Sequence, residues 1–172
     1  MNASLDDLLT EDEVNRLDQL NQILDYANVN YEILSHDETI ITAEDGVKSG
    51  IGNLAEMAPT LILETEKGFI AAIISGRTRL SYKKIKKMLG LKNISLAKPD
   101  VVLKVTGAEV GTVSLVNLEL PTIIDSLIMD ATFVYGGCGV PRHTLRITPS
   151  ALIAVTQAKV FDFTESKEES SQ

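Results

Sequence analysis

Apolar positions define the first element. Val14, Leu17, Leu20, Ile23, Leu24 and Ala27 recur at three- and four-residue spacing and so fall on one stripe of a helix. Thr10 and Glu13 form a capping box ahead of that stripe, with Leu9 and Val14 at the hydrophobic-staple positions. The pattern predicts a helix over 10–27. Residues 31–36 then read as a strand ending at His36, and Thr42-Ala43-Glu44-Asp45 opens a short helix with Thr42 as cap. Gly50 and Gly52 make 48–53 a loop. They are no dinucleotide fingerprint, because the third glycine and the preceding strand are missing.

Two β-rich apolar runs, 60–65 and 69–75, flank Glu66-Lys67-Gly68 and predict a hairpin. Ser81 caps a helix that stops at Gly90, and Pro99 starts another that stops at Gly107. Between them 94–97 reads as a short strand. Residues 107–117 form a loop rich in small side chains. Strands follow at 121–125, 132–135 and 143–147, with a glycine-rich loop over 136–141. Thr148-Pro149 opens a helix to about 157, and 159–163 is a last strand. The acidic 164–172 reads as a disordered tail. Because two sequential strands pair as a hairpin within an alternating α/β order, the sheet is mixed. The expectation is a single α/β (mixed α+β) domain over 1–163, with a mixed central sheet or partly closed barrel flanked by helices.

Composition narrows the class. The 172 residues are 44% hydrophobic and 23% charged, enough to bury one core without staples. A lone Cys138 excludes an internal disulfide framework and a multi-cysteine zinc site. His36 and His143, the only histidines, have no carboxylate cluster beside them, so neither metal nor cofactor is expected. No apolar run is long enough to span a membrane, and the acidic start has no export pattern. Cytoplasmic residence is the expectation; no feature sets an oligomeric state. The net charge of −8 opposes broad capture of nucleic acid. Lys83, Lys84, Lys86 and Lys87 form one local cluster, read either as a solvated helix face or as phosphate contacts.

Several residues admit both a chemical and a structural reading. Pro59 stops one element and starts a strand, since proline disfavours helix before it and fixes its own φ. Thr60 is a strand threonine or a hydroxyl facing a ligand. Gly111, Thr112 and Ser114 belong to a connecting turn or to a wall of backbone donors for an oxyanion. Gly136, Gly137 and Gly139 admit close approach of a ligand. Cys138 is a small packing residue or a thiol nucleophile with His143 as base. Asp125 caps a turn or holds a water or amino group. Arg142 and His143 contact phosphate or ribose, or His143 faces solvent.

The order of these pieces resembles the YbaK-like family, the prolyl-tRNA-synthetase-associated editing domains. The resemblance covers about 31–157: the strand ending at His36, the Thr42-Ala43-Glu44-Asp45 opening and Thr60-Leu61 come first. They are followed by "YKKIKKMLG", "AKPDVVLKVTG", "GTVSL", Asp125-Ser126-Leu127 and "GGCGVPRHTLRITPSAL". It implies a pocket for the charged end of an aminoacyl-tRNA and hydrolysis of the ester of a wrongly attached amino acid, without metal. The resemblance also places His36 near the pocket entrance. Two departures fall at the implied site. Where many members carry a functional lysine this chain has Pro59, and where they have the proline of a Gly-x-x-x-Pro loop it has Leu115 after Gly111. Lys48 is a candidate substitute for the lysine. The expected function is therefore that of a free-standing editing domain, either an aminoacyl-tRNA deacylase or a close relative with altered or lost activity. The alternative is a non-catalytic module on the same fold, binding a small molecule or a protein.

Overall fold

The computed structural model describes residues 9–167. Helix α1 (Glu11–Tyr26) carries the predicted capping box of Thr10 and Glu13. It buries only Leu20 and Leu24, and Val14 lies exposed rather than stapled. Strand β1 (Tyr31–Ser35) leads to α2 (Ala43–Lys48), whose cap is again a capping box, of Thr42 with Asp45. A single 3-10 turn, Leu54–Glu56, precedes the hairpin of β2 (Thr60–Thr65) and β3 (Gly68–Ile73). Then come β4 (Thr78–Leu80), α3 (Tyr82–Leu89), β5 (Ile94–Leu96) and α4 (Pro99–Thr106). Gly90 and Gly107 adopt left-handed conformations that end their helices. The chain closes with β6 (Thr122–Asp125), β7 (Val134–Gly136), β8 (His143–Ile147), α5 (Pro149–Thr156), β9 (Lys159–Phe161) and β10 (Thr164–Ser166).

The main sheet has five strands in the order β5-β2-β3-β6-β9. It is mixed: β5, β2 and β3 pair antiparallel, whereas β6 joins β3 and β9 joins β6 in parallel. Both faces are covered, so β2 and β3 are apolar without alternation: Ile62, Leu63, Ala71 and Ala72 are all buried. On one face Ile62 and Ala71 pack with Val102 of α4 and Val113; on the other Leu63 and Ala72 pack with Ile85 of α3 and Phe163. A second sheet, β1-β8-β7, is antiparallel throughout, and its Leu145 and Ile147 join Leu24 and Leu152 in the largest core cluster. The sheets do not close into a barrel.

Two readings of the sequence need correction. The predicted last strand divides at Asp162, and its continuation is no tail: β10 pairs with β4, setting Glu165 opposite Arg79 with an ion pair at 3.1 Å. Charge there marks a paired ribbon rather than solvation. Residues 168–172, and 1–8 of the expected domain, lie outside the described residues. Asp125 is no ligand-holding residue. It is fully buried, its Oδ1 accepts from the Phe163 N–H at 2.9 Å and its Oδ2 from the Leu127 N–H at 3.2 Å. One carboxylate thus fixes both the turn after β6 and the bend between β9 and β10. Asp125→Ala is expected to destabilise the fold by about 2–3 kcal/mol, and Asp125→Asn, keeping one acceptor, by roughly half as much. Urea titration followed by circular dichroism measures both.

Candidate active site

Where the second sheet meets the N-terminal end of β2, three chain segments are stitched together by backbone. Ala58 N–H donates to the Tyr135 carbonyl at 2.8 Å, and Met57 bridges Tyr135 in parallel. Ser114 bridges Gly137, the Leu115 N–H donates to the Gly137 carbonyl at 2.9 Å, and the Gly139 N–H to the Thr112 carbonyl at 2.8 Å. A Cβ on Gly137 would sit 2.1 Å from the Val113 oxygen, so only glycine fits. At Gly111, φ +91°, a Cβ would lie 2.6 Å from the Ile41 carbonyl oxygen. At both positions the missing side chain lets backbone approach backbone.

The seam encloses a cleft of about 110 Å³, far above the roughly 15 Å³ one water needs. His36, Pro59, Thr60, Gly111, Thr112 and His143 line it, as do Gly136, Gly137 and Arg142. The structure therefore brings together most of the residues singled out from the sequence. Four others lie elsewhere. Leu115 is 1% exposed and points into the main core. Ser114 lines a separate cavity beside α1, and its Oγ accepts from the Val116 N–H at 3.2 Å. Cys138 is buried on that same far side. Asp125 belongs to the sheet, as described above.

Of the two histidines, His36 is fully engaged. Its Nδ1 donates to the Glu38 carbonyl at 2.7 Å, and its Nε2 accepts from the Thr144 hydroxyl at 2.9 Å. His143, 8% exposed, donates from Nδ1 to the Pro141 carbonyl at 2.9 Å. A carbonyl only accepts, so the proton sits on Nδ1 and the neutral ring keeps its lone pair on Nε2. Thr60 is 9% exposed, and its Oγ1 has no hydrogen-bond partner among the described residues. An unpartnered buried hydroxyl costs about 1–3 kcal/mol, and Thr60 is one of the residues of the cleft wall. Among neighbouring backbone donors, the Thr112 N–H is spent on Glu109, while those of Gly111 and Val113 bond no protein atom among the described residues.

Sequence reasoning missed Met57, Tyr135, Ile41 and Thr144 in the lining. Ile41 and Met57 sit on loop backbone or an isolated bridge, which has no side-chain period, and the strands of Tyr135 and Thr144 do not show in sequence which face meets the cleft. No lysine, aspartate or glutamate lines the cleft, and Lys48 is exposed outside it. The lysine cluster is also apart. Helix α3 packs through Ile85 on the sheet face of Leu63, whereas Thr60 shares the side of Ile62 on β2. Lys84 is held at Asp162 and the Thr164 carbonyl, 3.2 and 2.8 Å away.

Comparison with known proteins accounts for this assembly. The model of the aminoacyl-tRNA editing domain matches residues 37–155, well over half of the chain, and the protein belongs to that family. A proline–tRNA ligase of Syntrophotalea carbinolica is 36% identical over 89 residues, which are 51% of this chain but 16% of the ligase. A proline–tRNA ligase of Moorella thermoacetica is 35% identical over 94 residues, 52% of this chain and again 16% of the ligase. The chain thus matches about one sixth of the length of these relatives. A crystal structure described as that of a candidate trans-editing enzyme for prolyl-tRNA synthetase superposes with a TM-score of 0.79 at 25% identity. The match covers 92% of this chain and 99% of the other. Among the described residues no helix is long and apolar enough to cross a membrane.

The nucleophile reading of Cys138 does not survive its position. Burial pushes its thiol up to about 11, and Sγ lies 3.9 Å from the Val140 carbonyl, away from His143's cleft. At pH 8 only about one thiol in a thousand is then ionised. Iodoacetamide is expected to leave Cys138 unlabelled at pH 8 in the folded protein and to label it fully in urea, as read by intact mass.

Proposed function

We propose that the cleft hydrolyses the ester of a mischarged aminoacyl-tRNA, using a hydroxyl and an imidazole in place of the family lysine. The observation that carries this reading is the buried, unpartnered hydroxyl of Thr60, a residue of the cleft wall. A buried donor without an acceptor is a preorganised site for a substrate oxygen, and it gains most when that oxygen becomes an oxyanion. Family membership supports the substrate class. The matched proline–tRNA ligases and the structure described as a candidate trans-editing enzyme support editing in particular.

The residues divide the work between them. A water in the cleft gives its proton to the free Nε2 of His143 while its oxygen attacks the ester carbon. Thr60 Oγ1–H and the unspent N–H groups of Gly111 and Val113 donate to the developing oxyanion. Collapse of the tetrahedral adduct breaks the bond to the ribose oxygen, which takes the proton back from His143. The freed amino acid and the tRNA 3′ end are the products. His36 is a positioning residue here: its ring locks Thr144 and leaves no nitrogen for substrate. The lysines of α3 do not enter the step.

A second reading, a binding module without turnover, is favoured by Pro59, which lines the cleft yet offers no donor. A panel of mischarged tRNAs distinguishes the two. Deacylation by the wild type, reduced about 10²-fold in kcat by Thr60→Val, is the outcome expected of one lost oxyanion donor. Absence of turnover across the panel sinks the hydrolytic reading. Pro59→Lys adds an ammonium at the cleft edge and is expected to raise wild-type turnover. A rate appearing only in Pro59→Lys identifies a cleft that binds but has lost its chemistry.

A further inference from the structure

The cleft carries one permanent charge, and it is unneutralised. Arg142 lines the cleft, and its side chain makes no ion pair or hydrogen bond among the described residues. Arg16, Arg79 and Arg146, by contrast, are each paired, with Asp12, Glu165 and Glu32. No carboxylate lines the cleft. Two acids near its walls are committed elsewhere: Glu38 accepts from the Ser49 hydroxyl, and Asp45 from the Ile41 and Thr42 N–H groups. In a chain of net charge −8, an arginine left without a counter-ion at a concave site is suited to receive an anion.

Backbone geometry points the same way. Arg142 has φ +61°, the left-handed region that a residue other than glycine seldom adopts. The conformation is imposed from both sides. The Arg142 carbonyl accepts the His36 N–H at 3.0 Å, and the Pro141 carbonyl before it is held by the His143 ring at 2.9 Å. Strain of this kind persists where the surroundings over-determine it, and such residues cluster at ligand clamps. The same bonds that set the His143 tautomer therefore set the root of the Arg142 side chain.

We propose that Arg142 holds the phosphate of the substrate's terminal nucleotide, so that the ester beyond its ribose falls between Thr60 and His143. This rests on the reading of the cleft as the seat of a nucleotide-linked ester. A guanidinium is suited to the task because its planar fork meets a phosphate with two parallel N–H···O bonds, which an ammonium does not. Arg142 is the cation that this chain has in the cleft where Pro59 leaves none. It acts on binding and register, whereas Thr60 and His143 touch the reacting atoms.

The test measures binding of adenosine 5′-monophosphate, adenosine and inorganic phosphate by NMR titration, for wild type, Arg142→Gln, Arg142→Lys and Arg142→Asn. Asparagine tolerates the left-handed backbone, so Arg142→Asn keeps the turn while removing the charge. Wild type is expected to bind the monophosphate about tenfold or more tighter than adenosine, and tighter than free phosphate. Arg142→Gln and Arg142→Asn are expected to erase that preference while leaving adenosine affinity unchanged, and Arg142→Lys to retain some of it. Equal affinity of wild type for monophosphate and adenosine overturns the proposal. So does a preference that survives in Arg142→Asn, or a loss of both ligands together. The mischarged-tRNA assay separates the two readings. Turnover whose KM ignores Arg142 sinks this proposal alone. An Arg142-dependent phosphate preference without turnover sinks only the hydrolysis.

Discussion

Residues 112–115 and 137–139 run side by side at a distance that side chains forbid, and the rest of the site depends on that approach. The Val113 oxygen lies where a Cβ of residue 137 would stand, so the seam exists only because Gly137 has none. With the seam in place, the Leu115 and Gly139 N–H groups find acceptors across it, and Leu115 and Cys138 turn away into buried surroundings. Ala58 closes the remaining side on Tyr135. What is left between the stitched segments is the cleft. Its walls are backbone in large measure, and Thr60, His143 and Arg142 are among the few side chains there with a polar atom left unpartnered by the described residues.

Charge and chemistry are separated in this molecule. The lysines of α3 sit on the sheet face opposite Thr60, and one of them is tied to Asp162 and Thr164. A basic run in sequence is therefore not a basic site in space. The cleft itself is lined by neutral and cationic groups only, though the chain carries eight more acids than bases. Family membership fixes the fold. Pro59 stands in the cleft lining and offers no donor there.

Local physics was legible in the sequence, and long-range pairing was not. The capping box at Thr10, the cap at Thr42, stop glycines at 90 and 107, and the hairpin of 60–65 with the run after Lys67 each depend on neighbours a few residues apart, and each is found in the structure. The β4–β10 ribbon joins Arg79 to Glu165 across 86 positions through three-residue strands, too short to show a period. Asp125 takes its role from Phe163, 38 residues away, so its sequence context displays only the nearer cap to Leu127. In the cleft the contributing positions were recognised better than their orientations. Gly111, Thr112, Gly136 and His143 do meet, but a loop without periodicity gives no sign that Ser114, Leu115 and Cys138 face the other way.

The backbone seam makes the bore of the cleft a fixed dimension. Widening it would break inter-segment hydrogen bonds and pull apart segments already at closest approach. A bore of fixed width sorts by bulk in one direction only: it turns away side chains too large to enter and has no means of refusing smaller ones. Selectivity against the small must then come from what a smaller occupant fails to touch, and the free side chains it could miss are few.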